Sequence, residues 1–269
     1  MDRNVVMKLI DIGANLTHES FALDYSQVIA DAKLADVHHI VLTGTDLASS
    51  IEACAVANDS AGFHTSTAGF HPHVAATMDD SAFAQIRQIC QQPSVIAVGE
   101  TGLDYNRDFS PRAAQLKAFE QHLELAAELK LPLFLHQREA HDDFFKLLER
   151  YRPSIVGGVV HCFTDNEKAL RDYLELDMYI GITGWVCDER RGLELQALVP
   201  LIPLDRLLIE TDAPYLLPRT LSPKPKSRRN EPKYLMEIAK EIAHCQQLTI
   251  NEIANATTHN AKNLFNLQV

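Results

Sequence analysis

The sequence contains no Cys-x-x-Cys pair, and its five cysteines (Cys54, Cys90, Cys162, Cys187 and Cys245) are odd in number. That excludes a framework in which every cysteine is bridged within the chain, and it fits reduced thiols in a cytoplasmic protein. Long apolar runs are also missing. The segment 1–10 has none, and no later run is long enough to span a bilayer, so no membrane association is expected. Positive charge is scarce: 25 Lys and Arg stand against 36 Asp and Glu, a net charge of −11. Such a surface repels nucleic acid as a whole, so a polyanion would need a local basic patch or metal ions. Neither a groove-reading helix nor a finger pattern occurs, which argues against sequence-specific duplex recognition. Internal repeats, low-complexity tracts and interdomain linkers are absent as well. With 269 residues, 46% of them hydrophobic, the expectation is a single domain over 1–269 with one large core.

What is present is an alternation of short apolar runs with helical patterns. Eight runs read as strands: 8–11, 38–43, 65–69, 95–100, 132–136, 158–161, 178–182 and 207–212. Several are rich in Val and Ile without strict alternation, as strands buried on both faces are. The clearest helix follows Ser110 as N-cap and Pro111 as first helical residue, with Leu116, Phe119, Leu123, Ala126 and Leu129 forming one stripe. Another runs through Phe144, Leu147, Leu148 and Tyr151, and Thr249 with Glu252 reads as a capping box. Eight strand–helix alternations predict an α/β fold, a (β/α)8 TIM barrel, rather than an open doubly wound sheet. The stretch 214–232 is Pro-rich and basic and reads as a long loop after the eighth strand.

Four of these runs end in a metal-capable side chain: Glu100, His136, His161 and Asp212. In a barrel the C-terminal ends of the strands form the rim where chemistry occurs. Alternation along the strands places Val98 and Ile96 beneath Glu100, Phe134 beneath His136, Val159 beneath His161 and Glu210 beneath Asp212. Each residue alone has a structural alternative, such as a hydrogen-bonded histidine or a cap for the next helix. Four on one rim point instead to a bound divalent cation and hydrolysis. A carboxylate and two imidazoles hold the ion and leave positions open. Asp212 is the candidate to take a proton from water, and Glu100 has two oxygens and is able to bridge two ions.

The segments 69–73 (GFHPH), 99–104 (GETGLD), 135–140 (LHQREA), 161–163 (HCF), 179–184 (YIGITG), 210–216 (ETDAPYL), 228–232 (RRNEP) and 260–265 (NAKNLF) run in order over nearly the whole chain. In these the chain resembles the TatD-type metal-dependent deoxyribonucleases, a branch of the metallo-dependent hydrolase barrels. The resemblance implies metal ligation by Glu100, His136 and His161 and a metal-linked catalytic carboxylate at Asp212. It also implies a divalent ion, usually magnesium with zinc or manganese as alternatives, and phosphodiester hydrolysis. Within the family it points to 3′-to-5′ exonuclease action on single-stranded DNA or RNA ends, in DNA repair or nucleic-acid turnover. It suggests a monomer without an obligate protein partner.

One departure stands out. Most of that superfamily carries Asp-x-His-x-His on the first strand, whereas this chain has Asp11, Gly13 and Asn15 there. A second ion would then depend on Asp11, His71 and His73; for Asp11 a supporting or turn role is an equal alternative. Arg138, Arg228 and Arg229 are the candidate phosphate contacts, with an ion pair to Glu139 or Asp104 the alternative for Arg138. Phe70, Tyr105, Phe163, Trp185 and Tyr215 flank rim motifs and offer base stacking or lid packing. Two other functions fit the same residues: a hydrolase of small amides, lactones or phosphotriesters, and a non-catalytic partner with a decayed metal site.

Overall fold

The computed structural model describes residues 8–268; positions 1–7 and 269 of the expected domain lie outside the described residues. Strands and helices alternate as β1 (Leu9–Ala14), α1 (Tyr25–Leu34), β2 (Val37–Leu42), α2 (Leu47–Asp59), β3 (His64–Ala68), α3 (Asp80–Ile89), β4 (Val95–Asp104) and α4 (Arg112–Leu129). They continue as β5 (Leu133–Arg138), α5 (His141–Tyr151), β6 (Gly158–Val160), α6 (Glu167–Glu175), β7 (Tyr179–Ile182), α7 (Leu193–Leu198), β8 (Leu207–Ile209), α8 (Leu235–Gln246) and α9 (Ile250–Phe265). All strand pairs are parallel and follow sequence order. The ring closes through backbone bonds just past β8: the Asp212 N–H donates to the Gly13 carbonyl at 2.8 Å and the Asn15 N–H to the Ala213 carbonyl at 2.7 Å. This is a (β/α)8 barrel.

Two apolar layers hold it. Ile10, Ile12, Ala97, Phe134, Val159 and Leu208 fill the interior, joined by Ala261 and Phe265 from α9. A larger cluster lies between the strands and the surrounding helices and includes Leu9, Leu42, Phe119, Phe144 and Ile238. Asn260 anchors α9 by donating to the Leu204 and Leu207 carbonyls, both at 2.8 Å. Strands β1, β6 and β8 are buried along their whole length, as two covered faces require.

Two local expectations are corrected. Val98 packs in the outer cluster, and Ala97 takes the inner position. The register of β4 shifts between Val98 and Thr101, which breaks the alternation that would have put Val98 beneath Glu100. Ser110 does not cap α4: Pro111 holds the cap position, and the Ser110 hydroxyl donates to the His73 carbonyl at 2.9 Å while accepting the Ala76 N–H at 3.0 Å. The capping box at Thr249 and Glu252 forms. All five cysteines are unpaired, and no described helix is long and apolar enough to cross a membrane.

Besides His161 at the rim, three described histidines are buried: His39, His64 and His122. Burial lowers the pKa of each from 6.5 to about 4. The unfolded chain therefore binds more protons than the folded one between about pH 6.5 and pH 4. Stability should rise with pH across that window, with up to about 3 kcal/mol per histidine at stake. Urea unfolding at pH 7 and pH 4.5 checks this. His39→Gln should flatten the dependence, and an unchanged slope would remove His39 from it.

Candidate metal centre

Glycines build the rim of β4. Gly102 has φ of +144°, and a Cβ there would lie 1.9 Å from the His136 carbonyl oxygen. Only glycine lets β4 run this close to β5. The strand thereby continues past Glu100 to Asp104, and both carboxylates meet side chains of β5 and of the loop after β3.

Three imidazole nitrogens surround one oxygen, Glu100 Oε1: His161 Nε2 at 2.7 Å, His136 Nδ1 at 3.0 Å and His71 Nε2 at 3.2 Å. Their second nitrogens decide what each can do. His161 Nδ1 faces Glu210 Oε2 at 3.3 Å, and His136 Nε2 faces Asp104 Oδ2 at 3.3 Å. Both nitrogens of each ring therefore face carboxylate oxygens, which accept, so each ring donates on both sides as an imidazolium, and a divalent ion would displace the proton that faces Glu100. His71 differs. Its Nδ1 accepts the His73 N–H at 3.0 Å, so Nε2 holds the hydrogen and donates. Ligand atoms of His71, Glu100 and His136 lie within 4.8 Å of one another, and His161 Nε2 reaches the same Glu100 oxygen at 2.7 Å, so this oxygen and the imidazoles around it could hold a cation. Two imidazole nitrogens converging on a carboxylate oxygen fit a divalent ion, and the carboxylates behind the imidazoles are the usual support for such ligands.

The electrostatics fit rings that donate on both sides. Burial opposes charge on His161, yet Glu100 and Glu210 outweigh it and push its pKa well up. Burial likewise opposes ionisation of Glu100, but His161 and His71 hold its carboxyl well below the usual range. His71 is lowered to about 4 by burial, with the neighbouring His136 adding to the effect. The pocket is arranged to hold positive charge at Glu100.

Asp212 lines the same cavity, of about 830 Å³. Partial burial raises its pKa to about 8; nearby His161 opposes the shift, and the Glu100 and Glu210 charges add to it. Its Oδ1 accepts from the Asn15 amide at 3.0 Å. His73 donates to Asp104 Oδ2 at 2.7 Å, beside the Glu100 cluster rather than in it. The structure does not bring Asp11 to this cavity. Its carboxylate accepts from the Thr211 N–H at 2.9 Å, the Thr211 hydroxyl at 2.5 Å and the Gly13 N–H at 3.3 Å, tying β1 to the end of β8.

Arg138 lines the cavity, and among the described residues its guanidinium has no hydrogen bond or ion pair, so the expected alternative pairing with Glu139 or Asp104 is not seen. Arg229 is a correction. It grips Asp24 through two bonds of 2.9 and 2.7 Å and Glu231 at 3.1 Å, which leaves it in an ionic strap rather than facing substrate. Arg228 is exposed and lines a neighbouring cavity. Of the aromatics, Phe70 and Phe163 are core, and Tyr105 donates to Asp143 at 2.8 Å. Trp185 and Tyr215 line the metal cavity, joined by exposed Phe109, which the sequence reading missed.

Asp104, Gln115 and His122 were missed as well. Gln115 accepts the Asp104 N–H at 2.8 Å, and His122 Nε2 accepts the Phe70 N–H at 3.1 Å, so α4 holds two rim loops from beneath. Both are polar residues on the apolar face of α4, and that mismatch was the available signal.

A family model described as TatD related DNase matches residues 10–266. The chain belongs to the TatD family. It is 51% identical over 257 residues to the 3′-5′ ssDNA/RNA exonuclease TatD of Cronobacter turicensis, covering 96% of this chain and 97% of that one. Identity to the protein of the same name from Yersinia pseudotuberculosis is 51% over 259 residues, covering 96% and 100%. The solved structure of a TatD family hydrolase from Entamoeba histolytica superposes with a TM-score of 0.88 at 27% identity, covering 97% and 98% of the two chains.

In this TatD-family chain the two first-strand departures serve carboxylates. Asn15 holds Asp212, and Gly13 makes room for Glu210: a Cβ at Gly13 would lie 2.3 Å from Glu210 Oε2 and 2.9 Å from Phe134. Gly13→Ala should therefore cost about 1–3 kcal/mol in urea unfolding. In a double-mutant cycle with Glu210→Ala, the coupling should recover about 1 kcal/mol or more, whereas strict additivity would show that the two do not compete for space.

Proposed function

We propose that the chain is a metal-dependent nuclease that removes nucleotides from the 3′ ends of single-stranded DNA or RNA. The observation that carries this is the pair of imidazole nitrogens, His136 Nδ1 and His161 Nε2, turned onto Glu100 Oε1 by Asp104 and Glu210 in a cavity that Arg138 also lines. The names of relatives 51% identical over nearly the full chain support the substrate and polarity.

Glu100, His136 and His161 would hold a divalent cation, which supplies Lewis acidity to water and to the phosphate oxygen when bound. The protein's own groups do the rest. Arg138 pairs with a nonbridging phosphate oxygen through its planar fork. His71 donates its Nε2 hydrogen to the same region. Asp212 would accept the proton of the attacking water at Oδ2, since Asn15 occupies Oδ1, once a bound cation keeps it ionised against the burial that raises its pKa to about 8. The role of Asp11 is to fasten the barrel seam beneath Asp212.

The metal is read from two directions. Family resemblance favours magnesium, whereas a donor set of two imidazoles and one carboxylate suits zinc or manganese. Metal-stripped protein resupplied with each ion in turn decides between them. A cytoplasmic monomer is part of the proposal, supported by the unpaired cysteines.

Glu100→Gln and His161→Ala should lower kcat/KM on a single-stranded oligonucleotide by more than about 100-fold, with the circular-dichroism spectrum and melting transition retained. Near-wild-type turnover in either metal-loaded variant would overturn the centre. Arg138→Ala should chiefly raise KM. Turnover of ester, lactone or amide panels in preference to oligonucleotides would replace the nuclease proposal with the small-molecule one.

A further inference from the structure

A second cavity of about 610 Å³ adjoins the metal cavity, and Trp185, Arg191 and Leu216 line both. Its volume falls within the range of ligand pockets, about 300–1,000 Å³. In the second cavity Gly184 packs against the Leu216 backbone, where a Cβ would lie 2.1 Å from the carbonyl oxygen.

The charges in this cavity divide into two groups. Arg190, Arg191 and Arg219 are committed: Arg190 and Arg191 pair with Asp188 at 3.5 and 2.9 Å, and Arg219 with Glu189 at 2.7 Å. Those pairs also use up the acids nearby. Lys224, Lys226 and Arg228 are exposed on the loop after β8, and among the described residues none of the three has an ion pair or side-chain hydrogen bond. In a protein of net charge −11, three uncompensated cations in one concavity form a local exception. A strand crossing between the cavities passes Trp185, whose ring carries the Arg191 guanidinium 4.4 Å from its centroid and would offer its other face to a base, whatever the base.

We infer that this second cavity is a separate subsite for the phosphates on the 5′ side of the scissile bond, with Lys224, Lys226 and Arg228 as its contacts and Trp185 as the step between the cavities. The inference rests on the nuclease proposal and deepens it. The metal cavity takes the terminal phosphodiester, and the basic cavity grips the strand behind it. Short substrates use only the first, and longer ones use both.

The test compares a dinucleotide with a single strand of about ten nucleotides, in wild type and in the triple variant Lys224→Ala, Lys226→Ala, Arg228→Ala. Three phosphate contacts at the single-strand slope carry about 20-fold of affinity between 50 and 200 mM salt. The triple variant should raise KM on the longer strand by at least about tenfold at low salt, with kcat held. It should lose that portion of the salt dependence and cleave the dinucleotide as wild type does. A charge-matched control, Lys8→Ala, Lys117→Ala, Lys146→Ala, should behave as wild type on both. Equal losses on both substrates, or equal losses in the control, would overturn the subsite, as would unchanged kinetics on the longer strand. Fluorescence anisotropy of the labelled strand on the same proteins reads the subsite without turnover. If wild type cleaves no nucleic acid, the nuclease proposal fails, and anisotropy still decides whether these three cations bind a strand.

Discussion

One carboxylate oxygen organises this molecule. Glu100 Oε1 is approached by three imidazoles from the loop after β3, from β5 and from the end of β6, and it is buried. Bringing so many polar groups together under a rim is unfavourable unless each remaining valence is satisfied. The surroundings meet that demand in order. Asp104 and Glu210 take the outer nitrogens of His136 and His161; Gln115 takes the Asp104 N–H, and the Cys162 N–H donates to Glu210 at 2.7 Å. Helix α4, remote from the chemistry, is thus tied into it by hydrogen bonds rather than by packing alone.

Much of this was visible in the sequence for a simple reason. A barrel strand is buried on both faces, so a Glu or His ending an apolar run has few structural excuses. The eight strands and the four rim residues follow from that. Asp104 was not visible, because its place depends on the irregularity at Gly99 and Gly102 that lengthens β4 and shifts its register. The same irregularity moved Val98 to the outer layer. The strand pattern places Glu210 beneath Asp212, but its partner, His161, depended on β6 lying close by.

Arg228 and Arg229 show the limit most plainly. They are neighbours in the chain with the same chemistry, and local pattern cannot tell them apart. One is exposed beside a cavity; the other is held by Asp24, 205 residues away. The fate of a loop arginine is decided by whichever helix happens to lie across from it, and only the folded arrangement reveals that.

The Arg229 strap has a consequence for how the rim responds to its medium. Its guanidinium is mostly covered and multiply bonded, although Asp24 is 44% exposed, so dissolved ions weaken it less than they mask the outward-facing charges on the same loop. The segment should therefore keep its shape in brine that already blunts its pull on a polyanion. Ionic strength would then tune capture while leaving the architecture alone, and a strand could be rinsed off an intact enzyme.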